Sequence, residues 1–194
     1  MVLPKKFYNR DAALVAEELL GCIIVKRDAE TLKGMIVETE AYYGLSDPAS
    51  RAGKNRSIGK IMGGEAGIAF IYMVHGNWLF NITTMRKGHP SGVLIRAVEP
   101  LEGIEIMMKR RGRKNIRELT SGPGKFTQAF GIDKSHNGMK IYRKGEIYIE
   151  EGKGEFEVER DYRIGVTHDV EIPLRFYIKG NKFVSFPKNI KKAG

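Results

Sequence analysis

Apolar and polar residues alternate along the chain in short runs that predict a mixture of small helices and strands. Residues 11–20 (DAALVAEELL) place apolar side chains at 12, 15, 16, 19 and 20 on one helical face, with Asn9 or Asp11 as cap and Gly21 as stop. Residues 22–26 and 33–40 read as two strands of a hairpin, and residues 68–74 and 78–84 as a second hairpin turning at His75-Gly76-Asn77. Residues 92–98 (GVLIRAV) form a further strand, and Pro100 suits the first turn of a helix reaching about Arg110, with positions 101, 104, 107 and 108 on one face. Residues 120–125 (TSGPGK) open a short helix that runs to Phe130, and their small side chains expose backbone N–H groups able to seat a phosphate beside Lys125. The last third offers short strands at 147–150, 156–158, 163–166, 174–179 and 183–186, then the basic tail KNIKKAG. Residues 44–67 carry Arg51, Lys54, Arg56 and Lys60 among Gly, Ser and Asn, and read as a long loop, either functional or a surface insertion. With no repeat, low-complexity segment or linker, residues 1–194 form one domain.

Chemistry concentrates in residues 34–44 (GMIVETEAYYG), where the apolar run Met35-Ile36-Val37 passes directly into Glu38-Thr39-Glu40 and then Tyr42-Tyr43. On a strand, Glu38 and Glu40 share one face and Thr39 takes the other. Two carboxylates cannot share a dry site unless a cation sits near or one keeps its proton. Arg96 has the complementary need, being the single charge in an apolar strand, and Glu40 or Glu38 is its natural partner.

Net charge points to the partner. Against 23 Asp and Glu stand 33 Lys and Arg, a formal charge of +10, which suits a polyanion, nucleic acid first. An anionic membrane surface competes, but the sequence has no uninterrupted apolar span of about 18 residues and no basic amphipathic helix with a broad apolar face. Cys22 is the only cysteine, so neither an intramolecular disulfide nor a thiolate zinc site is available, and the N-terminus lacks the apolar region of a signal peptide; both features fit an intracellular protein. His75, His89, His136 and His168 lie far apart without metal-ligand spacing.

Five blocks in order, VETEAY (37–42), IYMVHGNWLFNIT (71–83), VLIRAVEPLEG (93–103), LTSGPGKFTQAFGI (119–132) and PLRFYIKG (173–180), resemble the alkyladenine (3-methyladenine) DNA glycosylase family of the mammalian type. They span almost the whole chain. The resemblance implies an α+β fold, a compact single domain built on a curved antiparallel sheet with flanking helices, needing neither cofactor nor metal. It implies that Glu40 is the general base, that Arg96 and the backbone carbonyl of Ile164 help hold the attacking water, and that Tyr42 stacks on a flipped base with Tyr72 on the pocket wall. Asn81 matches the asparagine that disfavours guanine, Arg51 stands where members often have histidine, and His75 stands where many place a tyrosine wedge. The substrate implied is double-stranded DNA containing damaged purines, bound by a monomer, with water rather than a lysine as nucleophile and an intact abasic site as product. Lys54, Arg56 and Lys125 are expected to contact phosphates. Two other readings fit the residues alone. One is a metal-dependent nuclease with Glu38 and Glu40 as ligands. The other is a non-catalytic nucleic-acid-binding module whose Tyr42, Tyr72 and Trp78 stack bases.

Overall fold

One long strand, β2 (Thr31–Tyr43), is the spine of the sheet; the computed structural model describes residues 1–185. Strand β5 (Ser91–Glu102) pairs antiparallel with it along nearly its whole length. On its other edge β2 changes partner: β1 (Ile23–Arg27) pairs with residues 31–35 and β8 (Arg175–Ile178) with residues 38–40. Strands β4 (Asn77–Thr83) and β3 (Ala69–Val74) extend the sheet beyond β5, β6 (Ile147–Glu150) lies beside β1, and β7 (Val158–Asp161) lies beside β8. Every pairing is antiparallel, and the curved sheet with its small helices gives the α+β domain that the sequence predicts.

Where β2 changes partner, the β2–β5 ladder slips twice. Val37 is an extra residue on β2 and Arg96 an extra residue on β5, so Arg96 stands opposite no β2 residue. Bulges of this kind bend a strand and re-aim side chains. Helix α2 (Ala12–Glu18), preceded by the single turn α1 (Lys5–Tyr8), starts at Asp11, whose carboxylate accepts hydrogen bonds from the Ala13 and Leu14 N–H groups. Ala12, Val15 and Ala16 are buried beneath α2, which lies on β2, β5 and β8. The Thr39 hydroxyl donates to the Ala16 carbonyl at 2.7 Å, which fixes that face of β2 toward the helix and turns Glu38 and Glu40 away from it. Residues 36–41 are therefore buried on both faces, and the usual in–out alternation of a half-exposed strand disappears.

On the same layer, α5 (Pro123–Phe130) packs on β4 and β5 through Phe80, Phe126 and Phe130, whose rings meet edge to face. Burying side chains of this size contributes roughly 1.5–3 kcal/mol each. Gly124 lets the first turn of α5 press against the second hairpin, since a Cβ there would stand 2.7 Å from the Asn77 side chain.

Several elements differ from the sequence reading. Residues 44–67 are no open loop: a 3-10 turn, Arg51–Gly53, leads to helix α3 (Arg56–Met62), capped by Asn55, whose side chain accepts from the Ser57 and Ile58 N–H groups. Ile58, Ile61 and Met62 give it an inner face against Phe70, Tyr42 and Tyr72. Pro100 starts no helix. It continues β5 opposite Gly34 at a register shift, where its missing N–H costs the ladder little, and Leu101 is 49% exposed. Helix α4 (Ile104–Arg111) begins instead after Gly103, whose φ of 79° favours glycine and whose missing Cβ leaves room for the Leu32 side chain. Residues 163–166 and 183–185 are irregular, and the strand expected at 156–158 begins only at Val158. Phe186 and the KNIKKAG tail lie outside the described residues.

Candidate active site

Both carboxylates of the ETE triplet are fully buried, and both are paired. Arg96 bridges them, with Nε 3.3 Å from Glu38 Oε1 and Nη1 3.3 Å from Glu40 Oε1. Glu40 also accepts from the Ile164 N–H at Oε1 and from the Tyr42 hydroxyl at Oε2, each at 2.7 Å. Glu38 is held differently: Arg175 Nε donates to Oε1 at 2.7 Å and the Ser185 N–H to Oε2 at 2.7 Å. Burial disfavours the charge on Arg96, but Glu40 and then Glu38 outweigh it and hold the guanidinium protonated. Burial, reinforced by Glu40, pushes the Tyr42 phenol well above its ordinary value, so its O–H remains a donor to the carboxylate at neutral pH.

Behind the Tyr42 ring lies a second buried charge cluster. The Arg163 guanidinium stands 4.6 Å from the ring centroid, donates to both oxygens of Asp47 at 2.7 and 2.9 Å and to the Ala41 carbonyl at 3.0 Å, and reaches Asp169 at 2.6 Å. Arg163 directly precedes Ile164, so this clamp also fixes the backbone that touches Glu40. Burial would raise the Asp47 carboxyl, but hydrogen bonds from Arg163 and from the Tyr43 and Ala49 N–H groups prevail and hold it below its ordinary value. A carboxyl depressed in the folded state contributes stability that is complete above its unfolded pKa, about 3.9, and fades as pH falls through the lower folded value. Thermal unfolding followed across pH 2–7 should therefore show a loss below about pH 4 that Asp47→Asn makes shallower; an unchanged acid slope in that variant would place the linkage elsewhere.

Above these groups opens a cleft of ≈ 660 Å³. Tyr42, Tyr72, Arg96 and Ile164 form its floor and walls, and the hairpin tip at His75 and the Gly122-Pro123-Gly124-Lys125 turn form its rim. A smaller recess leads from it between Tyr42, Tyr72 and Asn81. Arg51 lies over the Tyr72 ring, 5.8 Å from its centroid, at the mouth of both spaces. Burial pushes the Tyr72 phenol up to about 12, against the opposing pull of Arg51. The Asn81 amide nitrogen donates to the Phe70 and Leu79 carbonyls at 3.3 and 3.2 Å, which fixes the plane of its side chain.

Glu40, Arg96, Tyr42, Arg51, Tyr72, Asn81, Ile164, His75 and Lys125 are thus brought to one place from six segments of chain. Lys54 and Arg56 are not: they are exposed outside the lining, with Arg56 bordering a separate depression near Leu45, Lys60 and Pro90. Trp78 packs against the core rather than lining the cleft, and its carbonyl accepts from Thr127 at 2.7 Å. Arg163, Arg175, Asp47, Asp169 and Ser185 are participants the sequence reading did not single out. Arg175 carried a usable signal, being a lone charge between Leu174 and Phe176 just as Arg96 is among apolar neighbours. Arg163, Asp47 and Asp169 carried none, since only the folded chain brings the first two together. Among the described residues no group of three or more His, Cys, Asp or Glu is placed to hold a metal ion, and no helix is long and apolar enough to cross a membrane.

The model of the methylpurine-DNA glycosylase family matches residues 6–182. The chain is 41% identical to a protein of Clostridium beijerinckii, 42% to one of Carboxydothermus hydrogenoformans and 39% to one of Methanoculleus marisnigri, each alignment covering 95% of this chain and 99% of the relative. All three carry the provisional name 3-methyladenine DNA glycosylase. A match over nearly the full length, together with a buried Glu–Arg pair beneath an aromatic cleft, places this chain in the methylpurine-DNA glycosylase family.

Proposed function

We propose that the protein is a monofunctional DNA glycosylase that flips alkylated or deaminated purines into the cleft and hydrolyses the N-glycosidic bond with a water activated by Glu40. The observation that carries this reading is the Glu40 carboxylate, fully buried directly beneath a cleft lined by Tyr42 and Tyr72, with Arg96 and the Ile164 N–H fixing its orientation. Rotating a purine out of the duplex costs a few kcal/mol, least for a lesion. Stacking on an aromatic ring returns about 1–3 kcal/mol, with Tyr42 as the stacking face and Tyr72 on the wall. His75, exposed at the hairpin tip, fills the gap left in the duplex, Asn81 and Arg51 read the edge of the flipped base, and Lys125 at the rim meets a flanking phosphate.

In the reaction itself, the water oxygen bonds to the sugar C1′ as the bond to the purine nitrogen breaks. The bonding pair leaves with the base, and Glu40 takes the water proton. An alkylated purine that is cationic departs neutral, while a neutral purine takes the bonding pair away as an anion and is protonated by solvent water. The Ile164 carbonyl, which accepts from Arg96 Nη1 at 3.5 Å, lies where it can share in orienting that water. With water as nucleophile no Schiff base forms, and the strand stays intact at an abasic site. The protein acts as a monomer, a single glycosylase domain, inside the cell where its substrate resides.

The test is release of free base from a duplex holding one hypoxanthine or one methylated purine, in the presence of chelator, with strands analysed before and after alkali. Base released without metal, and strands broken only after alkali, is the expected result. Strand cleavage that needs no alkali and stops in chelator would make the protein a nuclease, and no release from any lesion would leave a binding module.

A further inference from the structure

The charge arrangement beneath Glu40 extends one layer deeper than the reaction requires. Two carboxylates, Glu38 and Glu40, and two guanidiniums, Arg96 and Arg175, lie buried together and balance in charge. Arg96 is shared between the carboxylates at 3.3 Å each, whereas Arg175 holds Glu38 alone among them, and at 2.7 Å. The second oxygen of Glu38 is occupied by the Ser185 N–H, and Arg175 Nη2 donates to the Ser185 carbonyl at 3.1 Å. Arg175 Nη1 reaches out to Asp161, 3.1 Å away at the edge of the sheet.

We infer that Glu38 and Arg175 are positioning residues for the proposed Glu40–Arg96 pair: Arg175 satisfies Glu38, so that Arg96 is left to Glu40 rather than drawn wholly onto its neighbour. Glu38 in turn fixes the Arg96 Nε and so the direction in which Nη1 points. The inference rests on the assignment of Glu40 as base and adds the device that keeps it charged and oriented. Without Arg175 the buried site holds two carboxylates and one guanidinium, which disfavours keeping both carboxylates ionised. Without Glu38 it holds two guanidiniums and one carboxylate, which favours the ionised form of Glu40. The other titratable groups facing Glu40 are Tyr42 on β2 and Tyr72 on β3, both of which stay neutral at the pH of the assay.

The sign of each change gives a test that a merely structural role would not pass. Single-turnover release by excess enzyme of whichever base wild type excises, hypoxanthine or the methylated purine, is measured from pH 4.5 to 9 for wild type, Arg175→Gln, Glu38→Gln and the double variant, each first checked for folding by circular dichroism. Arg175→Gln should move the acid limb of the profile up by about one pH unit, the low end of what an opposite charge does to a close carboxylate. Glu38→Gln should move it down, and the charge-balanced double variant should return it to the wild-type position. If Arg175→Gln does not fold, Arg175→Lys takes its place: retaining the charge, it should keep the wild-type limb with a lower plateau. Limbs that overlay the wild type in Glu38→Gln and, where it folds, in Arg175→Gln, a shifted limb in Arg175→Lys, or a double variant whose limb fails to return, would overturn the inference. Failure of wild type to release hypoxanthine and the methylated purine alike would instead overturn the glycosylase reading, and full activity in Glu40→Gln the assignment of Glu40, so the ideas fail separately.

Discussion

Glu40→Gln should lower base release about 10²–10⁴-fold at neutral pH, the range that a positioned general base supplies, while binding of lesion-containing duplex is unchanged. Glutamine is a clean probe at this position. Its carbonyl oxygen can keep both donors now on Oε1, the Ile164 N–H and Arg96, and its NH₂ can donate to the Tyr42 oxygen in place of accepting from it. Arg96 keeps a carboxylate partner in Glu38, so no cation is stranded in the interior. What the variant loses is a place for the water proton. Single-turnover rates measured with enzyme in excess, beside a binding titration of the same duplex, separate these effects. A variant within tenfold of wild type would remove Glu40 from the reaction.

The largest loss of stability is expected at Arg163. Its side chain is fully buried and serves Asp47, Asp169 and the Ala41 carbonyl at once, while one face covers Tyr42. Arg163→Met removes the cation and leaves Asp47, whose side chain is 2% exposed, without its main partner. Breaking a buried pair from one side costs about 3–5 kcal/mol, and for a chain of this length that lowers Tm by roughly 10 °C. Lysine should recover only part of the loss, because one ammonium cannot reproduce the forked contact to both Asp47 oxygens. The triple variant Arg163→Met, Asp47→Asn, Asp169→Asn should be more stable than Arg163→Met alone, since it strands no charge. Denaturant unfolding measures all three; a loss below about 1 kcal/mol in Arg163→Met, the scale of a surface ion pair, would mean that solvent reaches this cluster.

The two clusters also mark how far the sequence could be read. Arg96 was legible because a charge inside GVLIRAV contradicts its neighbours, and a contradiction of that kind demands a partner. The same logic applies to Arg175 in PLRFYIK, where resemblance drew attention to the block but not to the charge. Arg163 stands at the edge of RIGV, a short run that reads as a strand, where a charge is ordinary, and its partner Asp47 is over a hundred residues away. Local pattern has no access to such a pair. Helix α3 was hidden for another reason: Gly59 within it lowers helix propensity, the Gly63-Gly64 pair after it reads as loop, and tertiary packing of Ile58, Ile61 and Met62 near Phe70 overrides both. Pro100 misled in the opposite direction, since the same missing N–H that suits a helix start also suits a strand at a register shift. The hairpins and the capped helix α2 were legible because each combined a periodic apolar pattern with its own stop signal.

The second hairpin closes through His75 and Gly76 alone, with φ of 47° and 76°, and Val74 pairs directly with Asn77. Two-residue turns of this handedness match the twist of the strands they join. Histidine in that conformation carries a strain on the order of 1 kcal/mol, a sum settled when the chain folds. Fixing the backbone of a free residue costs about 1–2 kcal/mol, so a flexible loop of the same reach would charge that cost against every encounter with a partner. In the proposed function, a tip already closed meets the duplex with its entropy spent in advance, and its grip there depends on fit rather than on ordering.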